Sequence, residues 1–108
     1  MQALLIYVPC ANIDEAKTIA RELINSKLAA CANIIPQIYS IYNWESKICE
    51  DNETLLLLKS AKHLYEKLVT MIKANHSYAC PCIASIPFEN CNSDYLYWLT
   101  TNLEPETL

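Results

Sequence analysis

An α+β sandwich is what this chain predicts, with its elements in the order strand, helix, strand, strand, helix, strand and a short helix appended. Three observations predict it. Two segments, one from Asp14 and one around Leu64 to Ile72, repeat apolar residues at helical spacing. Leu4 to Val8 is a continuous apolar run of strand length. Between the two helical segments, Ile38 to Asn43 alternates with the period of two that a strand imposes, and a second strand-like run follows after a polar turn.

Leu4 to Val8 reads as a central strand that Pro9 ends, which leaves Cys10 at a strand end. In the first helix Ala16, Ile19, Ala20, Leu23 and Ile24 share a face, Asn12 is the candidate cap, and Asp14 and Glu15 complement the positive N-terminal dipole. The apolar run Leu28 to Ile35 is punctuated by Pro36. Beyond it Ile38, Ser40 and Tyr42 point to one side while Tyr39, Ile41 and Asn43 point to the other. Trp44 precedes a Glu45-Ser46-Lys47 turn, and Ile48 to Lys59 returns, polar at first and then wholly apolar from Leu55 to Leu58, so the pair forms a long hairpin.

Ser60 is the expected cap of the second helix, whose apolar stripe is Leu64, Leu68, Met71 and Ile72, with Asn75 as its stop. Ala79 to Ile86 reads as the last strand, with Cys80, Cys82, Ala84 and Ile86 on one face and an irregular start at Pro81. Ser93 and Asp94 open a terminal helix carrying Tyr95, Leu96, Trp98 and Leu99, and the tail from Glu104 to Leu108 is too polar for core. This is the order of a ferredoxin-like split βαβ fold, in one domain spanning residues 1–108.

Composition narrows the function. The net charge is −4, and lysines and arginines are scattered rather than clustered, which argues against a nucleic-acid partner. No apolar run approaches the ~20 residues of a membrane span, and the N-terminus lacks the pattern of a secretory leader, so the expected setting is cytoplasmic. The six cysteines are accordingly read as thiols, structural or metal-binding, with Cys31 and Cys49 buried or at an interface and Cys91 the one most open to oxidation. There is no glycine, which excludes glycine-rich phosphate loops and leaves turns to Asn, Asp and Ser, with Asp51-Asn52, Asn75 and Asn90 well placed. No nucleophile, base and orienting acid form a recognisable set, so the chain is not expected to be an enzyme. Glu45, Glu50, Asp51 and Glu53 cluster on the hairpin, where a charged tip is ordinarily solvated, and His63 reads as a solvated helix residue.

The hairpin also carries Tyr39, Tyr42 and Trp44 beyond what two helices can cover. Such an aromatic, edge-bearing surface is expected to be buried against further copies of the chain.

Together these residues carry a resemblance. Lys27 to Cys31, Asn33, Pro36, Ser40 to Tyr42, Trp44, Glu45, Lys47, Asp51 with Glu53, Leu55 to Lys59, His76 with Tyr78, Pro81, Ile86-Pro87 and Asp94 to Leu99 resemble the CutA family of divalent-cation tolerance proteins, over Leu5 to Leu99. The resemblance implies a homotrimer built through hairpin and strand contacts. It also implies a site for copper or another divalent metal ion at Cys10 and His76, with Tyr78 supporting the histidine. Where the family has glutamate after the following proline, this chain has Cys82, a softer donor that moves preference toward Cu(I) or Zn(II). Ser46 and Cys91 stand where the family has glycine, and Ser77 where it often has proline. The competing reading makes the cysteines structural: a PII-like trimer would take a small anionic ligand in an intersubunit cleft lined by Lys59, Tyr42, Trp44, His76 and Tyr78.

Overall fold

The computed structural model describes residues 1–107 and has the expected element order: β1 (Ala3–Cys10), α1 (Ile13–Asn25), β2 (Cys31–Trp44), β3 (Lys47–Ala61), a 3-10 turn at Lys62–Leu64, α2 (Tyr65–Asn75), β4 (Ala84–Pro87) and α3 (Ser93–Thr101). The strands form one sheet in the order β2-β3-β1-β4, antiparallel throughout. Alternate residues of the two inner strands are closed off from solvent: Leu4, Ile6, Val8 and Cys10 of β1, and Leu56, Leu58 and Ser60 of β3. They pack with Ala16, Ile19 and Leu23 of α1 and Leu68 and Ile72 of α2 in a single core. The opposite face is less covered, with Tyr7 36% exposed.

α1 starts and stops where side-chain chemistry dictates. Asn12 Oδ1 accepts the Glu15 N–H at 2.9 Å, and the Glu15 carboxylate reaches back to the Ala11 N–H at 3.2 Å, a variant of the capping box. At the other end the Leu28 N–H bonds to Leu23 O and the Lys27 N–H to Ile24 O, a Schellman motif that puts Lys27 at φ 61°. Glycine ordinarily takes such a position, and a side chain there costs about 1 kcal/mol. Leu28, tucked against the core at 5% exposure, offsets that cost.

The hairpin is long because nothing interrupts the ladder from Ile38 to Trp44, and it turns through Glu45 and Ser46 at φ 50° and 64°. Both central residues therefore occupy the left-handed region of a two-residue turn without glycine. At Pro36-Gln37 two residues of β2 oppose Thr54 alone, a bulge that the Thr54 hydroxyl secures by donating to Pro36 O at 2.9 Å. Strands of this length account for a molecule of 46 × 27 × 23 Å.

Several expectations are corrected. Ser60 does not cap α2: β3 continues to Ala61 in register with Ala3, and the buried Ser60 hydroxyl donates to Leu28 O at 2.6 Å. The last strand begins at Ala84, not Ala79, because Pro81 has no N–H and β1 pairs with β4 only as far as Tyr7. Cys80 and Cys82 consequently lie outside the sheet and are exposed, whereas Cys91, expected to be the open thiol, is half-buried. His63 is not a free surface residue, since its Nε2 lies 2.8 Å from Glu104 O. Asp51-Asn52 lies within β3 rather than in a turn, and positive φ falls to Lys27, Glu45 and Ser46. Leu108, the end of the tail read as polar, lies outside the described residues.

Candidate functional site

The most interconnected polar cluster gathers where the C-terminus of α2, the end of β1 and the start of α1 meet. His76 follows the last turn of α2, and its side chain is fully enclosed. Its Nε2 lies 2.9 Å from Pro9 O. A carbonyl only accepts, so this nitrogen carries the proton. Nδ1 then accepts from the Tyr78 N–H at 3.1 Å, with Glu15 Oε1 also 3.1 Å away. Glu15 in turn receives the Ser77 N–H at 2.7 Å and the Ser77 hydroxyl at 2.8 Å. Burial opposes ionisation of this carboxyl, but the two Ser77 bonds and the Ala11 N–H outweigh it and hold its pKa below the usual 4.5.

Cys10 sits beneath this cluster with no exposed surface, and its thiol is directed at Val8 O, 3.6 Å away. Burial first, and the charges of Glu15 and Glu53 second, push its pKa up to about 12, so it stays a neutral thiol. Cys82 lies exposed on the segment leading to β4. Among the described residues no three His, Cys, Asp or Glu side chains are grouped to hold a metal ion. Within one chain the donor set therefore does not fit a metal centre. The Cys10 thiol is enclosed and directed at Val8 O, and both nitrogens of His76 are already engaged.

A cavity of about 320 Å³ opens next to this cluster, lined by Pro9, Tyr42, Trp44, Glu53, Tyr78, Ala79 and Cys80. Register explains its composition. Tyr42 pairs with Cys49 and Trp44 with Lys47, so both aromatics share a hairpin face with Glu53. The Tyr78 hydroxyl donates to Glu53 Oε2 at 2.7 Å, and its ring lies 4.7 Å from that of His76, which ties the cavity to the buried cluster. Burial and the Glu53 carboxylate both raise the Tyr78 pKa. Tyr42 donates to Asp51 Oδ2 at 2.6 Å, and that bond first of all raises its pKa to about 12. Both phenols are therefore neutral donors, and Glu53 is the one carboxylate in the lining.

Tyr42, Trp44 and Tyr78 meet within one chain, and Lys59 lies apart from them. Its Nζ bonds to Tyr95 OH at 3.1 Å and lies 4.9 Å from the Tyr95 ring centroid, against α3. That phenol, before any other influence, holds the Lys59 pKa above its usual value. Within one chain the charged side chain of this lining is the Glu53 carboxylate. Sequence reasoning passed over Glu15 and Glu53, reading one as a helix-dipole partner and the other as part of a solvated tip. The Asn12-x-x-Glu15 spacing was a visible signal for the first. Nothing local distinguished Glu53 from Glu50.

Comparison with known proteins places this arrangement among relatives. The family model described as "CutA1 divalent ion tolerance protein" matches residues 4–102. The divalent-cation tolerance protein CutA of Thermus thermophilus is 43% identical over 101 residues, covering 94% of this chain and 96% of that protein. The chloroplastic protein CutA of Arabidopsis thaliana is 38% identical over 90% of this chain, which spans only 53% of that longer relative. The crystal structure of CutA1 from Oryza sativa superposes with a TM-score of 0.94 at 37% identity, covering 98% of this chain and 97% of that one.

Proposed function

The chain belongs to the CutA1 family of divalent ion tolerance proteins, and from that premise we propose that it acts in divalent-cation tolerance as a non-enzymatic homotrimer of ferredoxin-like subunits. Its ligand site in this reading is the cleft of Tyr42, Trp44, Glu53 and Tyr78, and Cys10 has a structural role.

The observation that carries the reading is the cleft's composition: one carboxylate among three aromatic side chains, with no cationic group in the lining. A carboxylate in a partly desolvated recess attracts positive charge, and aromatic faces favour the same sign. Oxygen donors suit a hard, hydrated divalent ion better than the soft Cu(I) expected for a paired-thiolate set. The trimer is supported by the hairpin. β2 is an edge strand of 14 residues, and Tyr39, Ile41 and Ile48 are 63%, 65% and 77% exposed. Closing edges and apolar surface against two further copies would satisfy both features.

Native mass spectrometry of the reduced protein titrated with Mn(II) tests both parts. The expected result is a trimer whose Mn(II) uptake is lost in Glu53→Gln and kept in Cys10→Ala. A monomeric mass overturns the assembly. Uptake that survives Glu53→Gln but fails in Cys10→Ala overturns the cleft and restores the cysteine centre.

A further inference from the structure

Residues 77–83 join α2 to β4 without belonging to a helix or strand, and among the described residues they take part in no backbone–backbone hydrogen bond. Tyr78, which this segment delivers to the cleft, is therefore placed by contacts with side chains. Two of these are its own: the hydroxyl donates to Glu53 and the N–H to His76 Nδ1. A third acts one residue earlier, where the Glu15 carboxylate takes both the N–H and the hydroxyl of Ser77, at 2.7 and 2.8 Å.

We propose that Glu15 is a positioning residue for the cleft, setting the stance of Tyr78 through its grip on Ser77; this rests on the cleft being the ligand site.

The grip is anchored at its α1 end. Glu15 stands in the first turn of that helix, its N–H held by Asn12 Oδ1 and its Oε2 also receiving the Ala11 N–H. Its side chain is only 10% exposed, so these charge-assisted bonds are sheltered from water. Three donors converge on its two oxygens: the Ser77 N–H on Oε1, and the Ser77 hydroxyl and Ala11 N–H on Oε2. An amide has one acceptor oxygen, so the arrangement calls for a carboxylate. At the other end the lever is short, since consecutive Cα atoms are about 3.8 Å apart and Ser77 cannot shift without moving Tyr78.

The grip also persists where the cleft's own bond does not. Tyr78 donates to Glu53 Oε2, on the carboxylate that a bound cation would take, so cation and phenol compete for it. Neither Glu15 nor Ser77 lines the cleft, and their bonds are untouched by its occupant.

Fluorine NMR of the reduced, full-length protein labelled with 3-fluorotyrosine reads the stance directly, with resonances assigned through Tyr42→Phe and Tyr78→Phe. Glu15→Gln should move the Tyr78 resonance toward its position in the urea-unfolded chain and leave that of Tyr42, on the hairpin side of the same cleft, in place. Ser77→Ala, which loses one of the two donors at an exposed position, should move it less, and Ser77→Thr, which keeps both, should return it to the parent position. Circular dichroism checks that each variant is folded, and Ser77→Ala carries the test if Glu15→Gln is not. Mn(II) affinity should fall by about tenfold in Glu15→Gln, the scale of losing a group that orients a metal site from outside it. An unmoved Tyr78 resonance overturns the assignment. So does equal movement of Tyr42, which would mark general loosening, or a moved Tyr78 with Mn(II) affinity unchanged. A parent protein that takes up no Mn(II) overturns the cleft reading instead, and the Tyr78 resonance then decides the grip by itself.

Discussion

The two ends of β3 face different worlds. From Leu55 to Lys59 the strand lies between β2 and β1, and Leu56, Leu58 and the following Ser60 are sealed beneath the helices. From Lys47 to Asn52 the same strand has β2 alone for company, and Ile48 is 77% exposed. An isolated two-stranded hairpin is marginal in water, so the protruding end borrows its order from the base or from a neighbouring chain. The difference teaches that the ladder runs the length of the hairpin with one bulge while apolar burial is confined to its base.

The largest effect expected from this contrast is at the base. Leu56→Ala should cost about 3 kcal/mol, because the side chain is wholly enclosed and the cavity cannot collapse between two strands and a helix. Urea denaturation measures it, and a cost below about 1 kcal/mol would place the core elsewhere.

A smaller effect is expected at the cluster that joins the base to the loop after α2. Glu15→Gln should cost about 1–2 kcal/mol at neutral pH by weakening charge-assisted bonds to Ser77 and Ala11. The folded carboxyl has a lowered pKa, so the unfolded chain binds more protons in the acid range and stability rises with pH there. The contribution of Glu15 is thus fully present above the usual 4.5 and lost as pH falls through the folded value. In Glu15→Gln the acid limb of a stability–pH profile should be shallower than in the parent, and an unaltered limb would remove Glu15 from the account.

The smallest effect on the chain itself is expected at the tip. Replacing Ile41 and Ile48 together by serine should change unfolding of the dissociated chain by no more than about 0.5 kcal/mol, while light scattering shows reduced assembly. A large loss of stability with unchanged mass would erase the distinction between base and tip.

The same contrast explains what could be read from the sequence. The base and the first two helices were legible because burial leaves continuous apolar runs at Leu4 to Val8 and Leu55 to Leu58 and a helical stripe on α1, although the runs did not say that the Tyr7 face is the more open one. The alternation at the tip was legible too, and so was its reach beyond the helices, where Tyr39 and Ile41 are exposed. β4 was drawn too long because its apolar run through Cys80 and Cys82 mimics a strand, whereas pairing ends at Ala84. The site was half legible. Tyr42, Trp44 and Tyr78 line one cavity with His76 beside it, but Glu15 and Glu53 act across 62 and 25 residues of sequence to reach Ser77 and Tyr78. The hold of Tyr95 on Lys59, 36 residues away in sequence, was equally invisible.

The bulge at Pro36-Gln37 gives the gene a place for slack. Base and tip of the hairpin are out of step by one residue, and the unpaired position absorbs the difference, so each end keeps its own pairing. Loss of one codon at Gln37 would leave a regular ladder with every present pair intact, and Tyr42 and Trp44 would still face Glu53. The same loss at Ser40 would roll Ile38 and Tyr39 onto opposite faces before the two registers met again. Of all points along this hairpin, its irregular one is where length can change while the cleft remains in place.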